Sequence, residues 1–159
     1  MSDLRGDERT TLEGFLEEHR AGVLRALDGL ADEDAAARLL PDTAMTIGGI
    51  VKHLAQMEDL WFTWKFAGGD WPAPWVDGDA EEWAWESAAG DTVAELAALY
   101  AAGCARSRAV AAGQPDLDAV AASPSFGKGP VSLRWLFVHM IRETAQHRGH
   151  LDLMLDVLR

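Results

Sequence analysis

The sequence predicts an all-α fold, a four-helix bundle whose long connections permit crossovers, in one domain spanning residues 1–159. Three observations predict it. Apolar residues recur with helical period in four segments of roughly 20 residues or more. No segment alternates apolar and polar residues, and no hairpin dipeptide joins two apolar runs. The hydrophobic share, 48% of 159 residues, is enough to bury a real core, and no internal repeat suggests a solenoid. Amphipathic helices of this length bury their stripes against one another.

The first helix is expected over about residues 10–30. Thr10 and Glu13 have capping-box spacing, and Leu12, Phe15, Leu16, Val23, Leu24, Leu27 and Leu30 form its apolar stripe. Asp32 to Leu40 has room for a short extra turn, which Pro41 ends. The second helix runs from about Thr46, a capping residue, to Ala67, where Gly68-Gly69 stops it. Ile50, His53, Leu54, Met57, Leu60, Trp61 and Trp64 lie near one side of it. Gly48 and Gly49, in its first turn, allow close approach of another element.

Residues 68–90 read as an irregular connection, because two prolines and several glycines oppose a long helix. Trp71, Trp75, Trp83 and Trp85 fall inside it, so it is expected to fold back onto the bundle. Packing is the commoner use of such aromatics; walling a pocket is the alternative. Thr92 and Glu95 form a second capping-box pattern that opens the third helix, through about Ala112. After a second connection over 114–130, the fourth helix extends from about Val131 to Leu158.

Composition excludes several classes. The formal charge of −12 repels phosphate backbones and anionic lipid, which argues against nucleic-acid and membrane-surface partners. A single cysteine, Cys104, rules out an internal disulfide framework and fits a reducing cytosol. The charged N-terminus does not read as a signal peptide, and no apolar run approaches the roughly 20 residues that cross a bilayer. A cytoplasmic location is expected.

The strongest functional signal lies on the fourth helix, in HMIRETAQHRGH. Measured from His139, Glu143 falls at about 40°, His147 at about 80° and His150 at about 20° around the helix axis. Four polar groups on one narrow, partly apolar face need partners once buried, and a divalent metal is the simplest. Glu143 and His147, one turn apart, can converge on one ion; bundles complete such sites from a facing helix. His53, on the apolar side of the second helix, is the best third ligand, since His19 sits among Glu17, Glu18 and Arg20 and reads as surface. Two imidazoles and a carboxylate suit Zn²⁺, Ni²⁺, Fe²⁺ or Co²⁺ and leave open positions, a catalytic pattern. His139 and His150 would then orient a ligand or substrate. The competing explanation is a set of core histidines satisfied by hydrogen bonds.

Other candidates are weaker. Cys104 reads as a small buried hydrophobe rather than a nucleophile. Glu58 and Asp59 read as solvated, or paired with Lys65 and nearby arginines. Arg142 and Arg148 flank the site face and could bind a carboxylate, although surface charge is the default for both. The SFGKG stretch lacks the spacing of a phosphate loop.

TIGGIVKHLAQMEDLWF and SLRWLFVHMIRETAQHRGHLDLMLD together resemble the DinB/YfiT-like superfamily. Within it they resemble the actinobacterial branch of mycothiol-dependent maleylpyruvate isomerase and related thiol S-transferases. The resemblance implies an up-down-down-up bundle, a bound divalent ion, often zinc or nickel, and frequent homodimers. It places metal ligands at His53, Glu143 and His147. Glu143 stands where many members have histidine, and this Glu-containing version resembles the isomerase branch; His150 stands where many members have glutamine. The implied chemistry is attack by a low-molecular-weight thiol, mycothiol-like, on a small electrophile, with His139 or His150 relaying a proton. A metal-dependent hydrolase and a non-catalytic metal- or ligand-binding bundle are the alternatives.

Overall fold

The computed structural model describes residues 5–75, 80–125, 127 and 129–159, and of residues 80–82 the backbone only. The SFGKG stretch therefore lies partly outside the described residues. Among them the fold is helical, with a single isolated bridge between Val120 and Ser132.

Helix α1 spans Glu8–Arg25 and is capped by Asp7, whose carboxylate accepts from the Thr10 amide. It starts earlier than Thr10 and Glu13 suggest, because Asp7 takes the capping role. It also ends earlier, in a turn that closes at Gly29 with φ +73°. The short helix α2, Asp32–Ala36, occupies the extra turn expected there. Helix α3, Ile47–Glu58, is capped by the Thr46 hydroxyl and buried along its whole length. It does not stop at Glu58. The chain widens into a π-helical segment over Asp59–Phe66, ending with the Ala67 amide on the Phe62 carbonyl.

Part of the 68–90 connection is helical after all. Helix α4, Ala80–Ser87, is followed by a 3₁₀ turn over Ala88–Gly90. Two turns are too short to reveal a period in the sequence. Helix α5, Val93–Ala112, opens with the Thr92–Glu95 capping box in full. Helix α6, Leu133–Val157, is capped by Ser132.

Neighbouring side chains give the direction of each helix. Glu8 pairs with Arg134 near the starts of α1 and α6, and Gly22 meets Arg148 further along both, so these two run parallel. Gly48 meets Leu96, and Gly103 meets the Ala55 carbonyl, so α3 and α5 also run parallel. Arg9, at the start of α1, donates to the carbonyls of Ala111 and Gln114 at the end of α5, so the two pairs oppose each other. The order is up-down-down-up, with α4 in the crossover between the parallel helices α3 and α5, and α2 in the connection between α1 and α3.

The apolar core has two parts. One gathers Val23, Ile50, Leu54, Leu96, Tyr100 and Leu151; the other gathers Leu16, Phe62, Leu133, Phe137 and Met140. Burial of each such side chain contributes about 1.5–3 kcal/mol. Between and beside these clusters the four long helices bury polar groups: Arg20 from α1, His53 and Glu58 from α3, Ser107 from α5, Thr144 and His147 from α6. The candidate site belongs to this polar set.

Candidate metal centre

His53, in the middle of α3, faces Glu143 and His147, one turn apart on α6. The Nε2 atoms of His53 and His147 lie 3.2 and 3.3 Å from the same Glu143 oxygen, Oε1. One ligand atom from each of the three residues falls within 4.8 Å of the others. The structure therefore brings together the three residues expected as ligands. Hydrogen bonds from His147 and then His53 hold the Glu143 carboxyl far below the ordinary carboxylate range, outweighing the opposing effect of burial.

Two imidazoles and one carboxylate, inside a bundle, are a donor set that suits a borderline divalent ion. Without one, a single carboxylate oxygen serves two rings, and the Nδ1 atoms of both histidines are buried with no hydrogen-bond partner among the described residues. A divalent ion would take the lone pairs of both Nε2 atoms and the carboxylate charge together. The residues present fit such an ion.

The other two histidines on this face of α6 have different surroundings. His150 meets His147 edge to face, with ring centroids 5.3 Å apart. His139 lies outside the cluster. Its ring stacks on Trp135 at 4.9 Å and tilts against Trp61 at 4.4 Å, and Arg142 Nη2 lies 3.3 Å from its Nδ1. Burial, with the Arg142 charge adding to it, lowers its pKa below the ordinary histidine value. His19 is half-buried rather than fully at the surface, and burial lowers its pKa too, with Arg148 second. Arg148 itself lies across Gly22 of α1.

Sequence reasoning missed Trp85 as part of this site. Its indole stacks on His53, with centroids 4.8 Å apart and planes 19° from parallel, and reaches within 5.9 Å of His147. Gly49, one turn before His53, makes the room: a Cβ there would sit 2.9 Å from Trp85 Cε3. The signal available in the sequence was the pairing of a first-turn glycine with a tryptophan-dense connection. The connection both packs and walls the site, since Trp75 is buried and donates to Asp59 Oδ2 at 2.8 Å.

Glu58 and Asp59, expected as solvated or arginine-paired, are wholly buried, at 0% exposure. The expected pairing holds, but with distant arginines. Arg20 grips Glu58 with two bonds of 2.7 and 2.5 Å, and Arg106 grips Asp59 with two of 2.7 Å. Lys65 instead lies over the Trp64 ring and donates to the Pro124 carbonyl. Solvation is corrected because α3 is buried on every side as far as Glu58, which meets Arg20 of α1, while Asp59, at the start of the π-helical segment, meets Arg106 of α5.

No described helix is long and apolar enough to cross a membrane. The fold is similar to that in the crystal structure of the mycothiol-dependent maleylpyruvate isomerase, with a TM-score of 0.69 at 14% identity over 90% of this chain. The chain spans 60% of that protein's length. No curated protein matches the sequence. The sequence does match a family model, that of mycothiol-S-transferase, from residue 11 to residue 158, which includes all five histidines and all of the bundle's helices but the first turn of α1; the chain belongs to the mycothiol-S-transferase family.

Proposed function

We propose that this chain is a divalent-metal-dependent transferase or isomerase that uses a mycothiol-like thiol against a small electrophile. The convergence of His53, Glu143 and His147 carries the metal part of this reading, and the family carries the thiol. Zinc or nickel suits the donor set. When bound, such an ion lowers the pKa of a coordinated thiol, so that thiolate is present at neutral pH.

The chain's own residues then have distinct tasks. Glu143 would bring one negative charge and the two metal-binding imidazoles none, so a site loaded with a dication would keep net positive charge and favour a thiolate. Trp85 covers the His53 side and excludes water there. The His150 imidazole, edge to face with His147, would take the thiol proton. Sulfur attacks the electrophilic carbon; the leaving group departs in transfer, or the adduct collapses to the isomer with sulfur expelled. His139, held between Trp61 and Trp135, would orient the substrate.

The thiol must come from outside. Cys104 is buried, and burial first and Glu58 second push its pKa up to about 12. A thiol-specific chromogenic reagent should leave the native protein unmodified at pH 8 and label it only in denaturant. Cys104→Ala should retain transfer activity. Rapid labelling of the folded protein, or an inactive but folded Cys104→Ala, would refute the external-thiol assignment.

Elemental analysis of the purified protein, beside a His53→Ala, Glu143→Ala, His147→Ala triple variant, tests the centre directly. About one equivalent of zinc or nickel is expected in the wild type and none in the variant. Thiol-dependent consumption of an electrophile should follow the metal. Turnover of an ester or amide without any thiol would point to hydrolysis instead. A wild type that takes up neither metal would leave a histidine–acid cluster held by hydrogen bonds.

A further inference from the structure

We infer that Trp85 is the positioning residue of this centre, holding the His53 ring by stacking where other sites use a hydrogen bond. The inference rests on the metal reading above. A metal-binding imidazole is ordinarily fixed by a hydrogen bond from its second ring nitrogen to a carboxylate, carbonyl or water. His53 Nδ1 is buried and has no partner among the described residues, and the same is true of His147 Nδ1. The terminal torsion of a histidine is broad and chooses no ring orientation unaided. The group that lies flat on His53 is the Trp85 indole, 4.8 Å away and within 19° of parallel. The same indole contacts His147, so it restrains both imidazoles from one side.

The fold delivers this indole firmly. Ala84 and Ala88 are buried on either side of it along the chain. Trp83 lies under the Lys52 ammonium, which also pairs with Asp91. The Ser87 hydroxyl donates to the Trp83 carbonyl. On α3, Gly49 provides a notch that any side chain would fill. Chemistry adds a preference for the loaded state. An imidazole that gives its lone pair to a cation becomes electron-poor, and the negative face of an indole is attracted to it. Stacking should therefore strengthen when the ion is bound, and so raise affinity for it.

The test is zinc affinity of the stripped protein, measured by competition with a chromophoric chelator, for wild type, Trp85→Phe and Trp85→Leu. Leucine keeps apolar bulk without a π face. Circular dichroism establishes that each apo variant is folded. Trp85→Leu should bind zinc about 10–100-fold more weakly, the range typical of losing a partner that orients a ligand. Trp85→Phe should recover most of the affinity. Leu and Phe variants that both bind within about threefold of wild type, or that weaken equally, would overturn the positioning role and leave Trp85 as packing. Wild-type protein that binds no zinc or nickel fails the metal reading itself, a result distinct from either.

Discussion

Replacing Glu143 with Gln should strip the centre of its ion and lower thiol transfer at least about 100-fold, with the fold retained. Loss of an outer partner of a metal ligand typically costs 10–100-fold, and a ligand should cost no less than the upper end of that range. The substitution is nearly isosteric, so it isolates charge from shape. Glu143 Oε1 is the atom that both Nε2 atoms approach, at 3.2 and 3.3 Å, and it is the only carboxylate in the cluster. A neutral amide cannot offset a dication in a partly buried site. The check combines metal content, circular dichroism and activity, with chelator treatment of the wild type as a parallel: removal of the ion should abolish transfer, and zinc or nickel should restore it. Full metal and full activity in Glu143→Gln would remove Glu143 from the centre.

Arg20→Met should be the most damaging single change for stability, at about 3–5 kcal/mol. Arg20 is 3% exposed and Glu58 is wholly buried, so water screens neither. Among the described residues, removing the guanidinium leaves this carboxylate with the Cys104 thiol at 3.8 Å and no cation paired with it. Total stability of a domain is about 5–15 kcal/mol, so the variant should unfold at far lower urea than wild type. The double variant Arg20→Met, Glu58→Leu should regain much of the loss, because apolar replacements of a buried pair are often neutral or stabilising. Urea titrations of the wild type, both single variants and the double variant give the coupling. A single variant within 1 kcal/mol of wild type, on the order of a surface pair, would show the pair to be unimportant.

Much of this molecule could be read before any coordinates. Thr46 and the Thr92–Glu95 box mark their helices because capping is local chemistry, decided within four residues. Glu143 and His147 were legible for the same reason, one turn apart on a helix without breakers. His53 followed from being an imidazole on an apolar stripe. What escaped depends on distance along the chain. Glu58 and Asp59 look like surface acids because their arginines are 38 and 47 residues away, on other helices. The π-helical segment after Glu58 also defeats a wheel drawn at a constant angle. Trp85 escaped because two helical turns amid proline and glycine show no period. Asp7 was overlooked because Thr10 and Glu13 mimic a cap that the first turn does not need.

The parallel pairing of α1 with α6 sets the order in which this protein can be made. Glu8 and Arg134, joined across that seam, are 126 residues apart, so the contact closes nearly the whole chain into a loop. As the polypeptide emerges during synthesis, α1, α3 and α5 are available to collapse on one another well before α6 follows. Until then His53 is a lone imidazole, without the acid and second imidazole that complete the trio. On the metal reading proposed above, capture of an ion would come after topology is settled, as a lock on a finished bundle rather than a seed for building one.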